Sequence, residues 1–257
     1  MMRHIESYES TMSGVSATSS ELFACQQDRE AFEGAKSVSD LQRLTVAFLK
    51  GEASATSYHF GPLLAESAPL VEKLVALNEA GFITTSSQPG GVETVQGKRI
   101  QKRAYVEGLI KRRYLSQFLQ RLYTRLGSNC FVTTLEGERS YEEICDLRAA
   151  DLYWVTSVIG EVDTGFLHVS EVSGPCQMFQ SCDEIYPLLV DEYVSVFIMD
   201  TRWGYNGTDV LDVPLQILRE LQEQEIRYNM RLLANIRASS NTERRLTVPQ
   251  YTGLRRV

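Results

Sequence analysis

The sequence predicts an α+β fold of mostly antiparallel sheets flanked by helices. Apolar residues recur at helical spacing around residues 41–49 and 70–78, and again beyond Pro214. After residue 127 the runs Phe131–Leu135, Tyr153–Ile159, Phe166–Val172 and Tyr193–Met199 alternate or stay apolar, as strands do. These strands are not regularly separated by crossover helices, which favours antiparallel pairing over a doubly wound parallel sheet.

Residues 1–37 read as a polar, Ser-rich leader, disordered or loosely attached, and residues 38–237 as the folded domain. Ser39 or Asp40 can cap a first helix carrying Leu41, Leu44, Phe48 and Leu49, closed by Gly51. Ser67 offers a second cap, with Pro69 in the first turn and Leu70, Val71, Leu74, Leu77 and Asn78 following at helical spacing. Gly81 ends that helix, and a short strand spans 82–87. The stretch from Gln88 to about Lys98 reads as a glycine-rich loop, and Ala104–Leu126 as one long amphipathic helix. Met178–Leu189 has a helical pattern interrupted by Pro187. Asp212 and Pro214 open a long helix reaching about Arg237, and residues 238–257 form an Arg-rich flexible tail.

Composition narrows the function. A chain of 257 residues, 43% apolar, can bury a substantial core. Its net charge of −7 and pI near 5.2 argue against a nucleic-acid binder. The basic cluster Lys98, Arg99, Lys102, Arg103, Lys111, Arg112 and Arg113 has no interleaved aromatic platform and reads as a solvated face. No apolar run is long enough to span a bilayer and none resembles a signal peptide, so a cytoplasmic location and no membrane contact are expected. The five cysteines, Cys25, Cys130, Cys145, Cys176 and Cys182, are scattered and odd in number, which implies buried or half-buried free thiols. With histidines only at positions 4, 59 and 168, no metal site is expected.

The segment Gly81-Phe82-Ile83-Thr84-Thr85-Ser86-Ser87-Gln88-Pro89-Gly90 stands out. Four adjacent hydroxyls and an amide lie at the end of a short strand, before a forced turn. Such an edge can dock a polar small molecule, although satisfied turn hydrogen bonds would explain the same residues. No dinucleotide turn, phosphate loop or nucleophile elbow is present. Asp200 stands at a strand end where catalytic carboxylates often sit, or caps the Thr-Arg-Trp-Gly turn that follows. His168, in mid-strand, fits a packed or surface residue better than a general base. No catalytic constellation is visible.

Three segments resemble the C-terminal regulatory domain of eukaryotic methylenetetrahydrofolate reductase. They are Pro62-Leu63-Leu64-Ala65-Glu66-Ser67 leading into its helix, Gly81–Pro89, similar to that family's Gly-Ile-Leu-Thr-Ile-Asn-Ser-Gln-Pro, and Gln101-Lys102-Arg103-Ala104-Tyr105-Val106-Glu107, similar to its Gln-Lys-Ala-Tyr-Leu-Glu. A weaker echo runs from Asp191 to Asp200. The resemblance spans about residues 38–225 and is strongest over 60–107.

That resemblance implies a domain of two mostly antiparallel sheets binding S-adenosylmethionine, with S-adenosylhomocysteine competing, and no catalysis. Residue by residue, it places ligand contacts at Leu64, Ala65, Glu66 and Ser67, at Thr84, Thr85, Ser86, Ser87 and Gln88, and at Thr156, with another near Ser170. Glu66 would meet the ligand's ammonium or sulfonium, and Thr84 and Ser87 its hydroxyls and carboxylate. Amides at a helix start near Ser67 would also suit the carboxylate. The catalytic barrel, with its FAD, has no counterpart here, and the family's Trp-Gly-Pro segment after Pro89 is missing. Because the family's domain mediates dimers, a homodimer or a separate reductase-like partner enzyme is implied. The alternatives are an interaction module of the same fold without a ligand, and an enzyme acting on an adenosine-containing ligand.

Overall fold

The computed structural model describes residues 19–59, 61–63, 65–95, 97–135, 154–159, 167–170 and 179–246. Helix α1 spans Ser19–Glu33 and α2 spans Val38–Leu49. A 3-10 segment, Ala65–Leu70, leads into α3, Val71–Glu79. Four strands follow: β1 Ile83–Gln88, β2 Gly91–Val95, β3 Lys98–Lys102 and β4 Tyr105–Lys111. Helix α4 covers Leu115–Leu126, and then come β5 Cys130–Leu135, β6 Trp154–Ile159 and β7 Leu167–Ser170. Helix α5, Tyr186–Glu192, precedes β8, Tyr193–Asp200, and α6 runs from Asp209 to Leu246.

Among the described residues the strands form two four-stranded sheets, ordered β1-β4-β8-β5 and β2-β3-β6-β7, and every pairing is antiparallel. The α+β class with antiparallel sheets is therefore observed. The two sheets share one bent ribbon. β1 and β4 pair in the first sheet, and their continuations β2 and β3 pair in the second. The corner lies at Pro89-Gly90 and Arg103-Ala104, with the 201–208 loop packed into it. A Cβ on Gly90 would collide with the Tyr205 carbonyl oxygen and lie 3.0 Å from the Ala104 nitrogen. The Gly204 amide donates to Lys102 O at 3.1 Å, and the Arg103 guanidinium stacks 3.9 Å from the Trp203 ring.

The first sheet is sandwiched. On one face Val106, Ile110, Val194, Val196 and Ile198 pack against α3, α4 and the first half of α6 through Leu74, Leu77, Phe118, Leu122, Ile217 and Leu218. On the other, Ile83, Leu109 and Tyr193 meet Phe32 of α1, Leu41 of α2 and the Phe179–Leu189 segment. No helix of the described residues is long and apolar enough to cross a membrane.

Six expectations need correction. Residues 19–33 are not a loose leader. Phe32 is fully buried, the Cys182 thiol donates to its carbonyl at 3.3 Å, and Asp28 accepts from the Ser54 amide at 2.6 Å. The helix expected over Ala104–Leu126 is strand β4 followed by α4. Tyr105, Val106, Leu109 and Ile110 also fit a helical period, but all are buried on a strand covered on both faces, where alternation disappears. The expected loop from Gln88 to Lys98 is largely β2 and the turn into β3, strands so polar that no pattern marks them. Helix α6 extends beyond Arg237 into the expected tail. The first helix cap also moves. Ser37 accepts from the Asp40 amide, and Ser39 and Asp40 lie inside α2. Pro187 sits in the first turn of α5, where it starts the helix rather than interrupting it.

Cys25, Cys130 and Cys182 are buried free thiols, and Cys145 and Cys176 lie outside the described residues. Burial, reinforced by the Glu33 carboxylate, pushes the Cys182 thiol up to about 11. Its folded value exceeds the unfolded one, so this group's contribution to stability is complete at neutral pH and is lost as pH climbs towards about 11. Alkylation of native protein at about pH 8 should spare Cys182 until denaturant is added, as read by peptide mass spectrometry; fast native labelling would contradict the burial.

Gly108 lies opposite Thr84 in the central ribbon, and a Cβ there would stand 2.8 Å from Phe82 Cδ1 and closer still to Ile83 O. Gly108→Ala should therefore destabilise the protein by about 2 kcal/mol through overpacking, measured by urea unfolding. An unchanged midpoint would show that β1 can shift freely against β4.

Candidate functional site

The first sheet exposes one edge at β1, and the site forms there. Thr84 pairs with Gly108 and Ser86 with Glu107, which leaves Thr85 as an extra residue in a β-bulge. A bulge re-aims the side chains beside it. Here it sets Thr84, Thr85, Ser86 and Ser87 along a cavity of about 160 Å³ that Ser67 also lines. Phe48, Leu49, Leu63 and Leu74 supply the apolar lining, and Thr45, Tyr58 and His59 complete it.

Asn78, fully buried at the end of α3, holds the strand in place. Its Nδ2 donates to Leu74 O at 2.8 Å and to Thr84 Oγ1 at 2.7 Å, and its Oδ1 accepts from the Thr84 amide at 3.1 Å. Gln42 of α2 donates to the Asn78 carbonyl at 3.0 Å. Gly81, with φ of 85°, makes the reversal between α3 and β1, a conformation that favours glycine. Tyr58 crosses from the 51–63 loop and donates to Thr84 O at 3.2 Å. Burial, with the Glu107 carboxylate adding to it, holds the Tyr58 phenol well above its ordinary range, so Tyr58 stays a neutral donor. His59 packs edge-on against Phe48, with ring centroids 5.5 Å apart, and its Nε2 lies 3.3 Å from Pro62 O.

The hydroxyls divide into two groups. Thr84 is engaged by Asn78, and Ser86 lies 3.2 Å from the Tyr105 hydroxyl. Ser67, Thr85 and Ser87 line the cavity with no hydrogen-bond partner among the described residues. No carboxylate, lysine or arginine belongs to the described lining.

Of the residues singled out from sequence, Ser67, Thr84, Thr85, Ser86 and Ser87 converge on this cavity. Ala65 and Glu66 are exposed on the 3-10 segment. The Glu66 carboxylate is held by Lys102 Nζ at 2.5 Å, and Lys102 also binds Glu93 at 2.9 Å. Burial opposes the Lys102 charge, but the hydrogen bonds it donates to Glu66 and Glu93 outweigh it and hold the ammonium above the usual lysine value. Gln88 donates to Arg103 O at 3.0 Å and does not reach the described lining. Thr156 lies on β6, in the second sheet, and Leu64 is outside the described residues.

Two other sequence candidates resolve structurally. Asp200 is buried and accepts from the Arg202 amide at 2.8 Å and from its guanidinium, so it caps the turn. The basic cluster is dispersed. Lys102 pairs with Glu66, Arg103 stacks on Trp203, Arg112 donates to carbonyls of α5, and Arg113 pairs with Glu225. No group of three or more metal-ligating side chains occurs among the described residues. Sequence reading missed Tyr58, His59 and Asn78. Only Asn78 carried a local signal, as a polar residue on the apolar stripe of α3.

Fold and cavity together define an α+β protein with a hydroxyl-lined pocket on a sheet edge. Over residues 27–221, well over half the chain, the sequence matches a family described as a domain of unknown function, DUF6919, and the chain belongs to that family. No curated protein matches it.

Thr84→Val removes the acceptor of a buried amide and should cost about 1–3 kcal/mol. Ser87→Ala, whose hydroxyl has no partner to lose, should change stability by less than about 0.5 kcal/mol. Equal losses in urea unfolding would overturn this division between structural and cavity-facing hydroxyls.

Proposed function

We propose that the protein is a non-catalytic small-molecule-binding module whose cavity takes the uncharged portion of an adenosyl compound, S-adenosylhomocysteine or S-adenosylmethionine. The observation that carries it is the convergence of the unengaged hydroxyls of Ser67, Thr85 and Ser87 on a cavity whose apolar wall is formed by Phe48, Leu49, Leu63 and Leu74. Ligand sites combine apolar walls with a few placed polar groups in this way. Ribose hydroxyls and base nitrogens are natural partners for small alcohols that can both donate and accept.

Size and charge refine the choice. The cavity, about 160 Å³, is smaller than the ~300–1,000 Å³ typical of sites that enclose a drug-sized ligand. It suits one end of such a molecule, with the rest projecting past the rim. Glu66 is already paired with Lys102, so the acid that would recognise a sulfonium is engaged elsewhere. The uncharged thioether of S-adenosylhomocysteine asks less of this lining than a sulfonium does.

The test is thermal unfolding with each compound at millimolar concentration, where a ligand at 100 times its dissociation constant adds about 2.7 kcal/mol. S-adenosylhomocysteine should raise the melting temperature at least as much as S-adenosylmethionine. The Thr85→Val/Ser87→Ala variant should lose that rise while melting normally without ligand. No rise with either compound would remove the adenosyl assignment, and a rise untouched by the double variant would place binding elsewhere.

A further inference from the structure

The polar side chains of the cavity are of two chemical kinds. A hydroxyl carries one proton, and once that proton is donated the oxygen can only accept. Thr45 of α2 is buried and donates to Leu41 O at 2.8 Å. Tyr58 donates to Thr84 O at 3.2 Å. His59 Nε2 lies 3.3 Å from Pro62 O, and only a nitrogen that carries the ring proton can bond a carbonyl oxygen. A neutral imidazole that donates through one nitrogen accepts through the other. All three residues line the cavity, and each has an acceptor to offer but no proton to give.

The hydroxyls of Ser67, Thr85 and Ser87 differ. With no partner among the described residues, each can turn to donate or to accept. The two kinds come from different elements. Thr45 and Phe48 are three residues apart on α2 and share a face, and His59 packs edge-on against Phe48. The acceptor-only groups thus belong to α2 and the 51–63 loop, and Thr85 and Ser87 to β1.

A ligand group beside α2 and the loop must give protons and ask for none. A carbonyl or ether oxygen there would meet further acceptors with no proton between them, and polar groups left unpaired in this way are costly. An ammonium would lack a counter-ion, since no carboxylate belongs to the described lining. The amino group of a heteroaromatic ring satisfies both conditions. Its lone pair is delocalised into the ring, so it donates two protons, accepts none and is uncharged. Phe48, Tyr58 and His59 supply aromatic surface for such a ring to pack on.

We infer that Thr45, Tyr58 and His59 select the amino group of an aminated heteroaromatic ring and so determine which end of the ligand enters the cavity. The inference rests on the adenosyl reading and sharpens it. The adenine amino group faces α2 and the loop, and the ribose falls to the hydroxyls of β1.

Ligand-observed NMR of the full chain tests this with 4-aminopyrimidine and 4-methylpyrimidine, rings of one shape that differ in those two protons. At about pH 7.5, where an ordinary imidazole is mostly neutral, the amino ring should bind at least about tenfold more tightly. Thr45→Val, which keeps the side chain's shape, and His59→Gln, which adds a donor, should each bring the ratio towards one. A merely structural role would weaken both probes alike and leave the ratio unchanged. Equal binding of the two rings, binding of neither, or a ratio unmoved in both variants would overturn the inference. The amino preference without any thermal response to S-adenosylhomocysteine would support this selection and remove the adenosyl assignment alone.

Discussion

The buried amide of Asn78 is the interaction on which the rest of the architecture depends. It sits at the last turn of α3, receives Gln42 from α2 on its carbonyl, and engages both the amide and the hydroxyl of Thr84. Three elements meet at this residue, α2 through its backbone carbonyl and β1 through its side-chain amide. An apolar residue of similar size would fill the space but leave the Thr84 amide unpaired, and an unpaired buried donor costs about 1–3 kcal/mol. Because Thr84 directly precedes the bulge, Asn78 also determines which way the next three hydroxyls face.

From that anchor the ribbon runs to its corner and back. Strand β1 cannot slide along β4, since Gly108 must stay where Phe82 and the Ile83 carbonyl approach. The corner is filled by the loop after β8, with Gly90 under Tyr205 and Arg103 over Trp203. The ribbon is thereby constrained at both ends, and the cavity lies on the stretch between. A site placed on such a rigid edge loses little conformational entropy when a ligand arrives, which is the main advantage of preorganisation.

Legibility in the sequence followed locality. Helices α2 and α3 and strands β1, β5, β6, β7 and β8 follow from periodicity and from Gly81, because each has one patterned face or is a short apolar run. Strand β4 did not, since its two buried faces mimic a helical period, and β2 and β3 have too little apolar content to show a pattern. Helix α1 is polar over most of its length and is attached through Phe32, Cys25 and Asp28, contacts that exist only once the 51–63 loop and the Phe179–Leu189 segment are in place. The candidate site was half legible for the same reason. Its hydroxyl run is contiguous, whereas Tyr58, Phe48 and Leu74 reach it from separate elements. Glu66 looked like a ligand group because its partner Lys102 lies 36 residues away.

The Glu66–Lys102–Glu93 arrangement bears on what charge the pocket can tolerate. The Lys102 side chain is only 14% exposed, and its ammonium is held between two carboxylates. Drawing Glu66 towards a bound cation would leave that ammonium with Glu93 alone, in surroundings where burial already disfavours its charge. A cationic ligand would have to offset this loss before it gained anything from Glu66. A neutral group makes no such demand, and it can use hydroxyls that the fold leaves unengaged. The pairing with Lys102 therefore argues against Glu66 as the counter-ion of a cation.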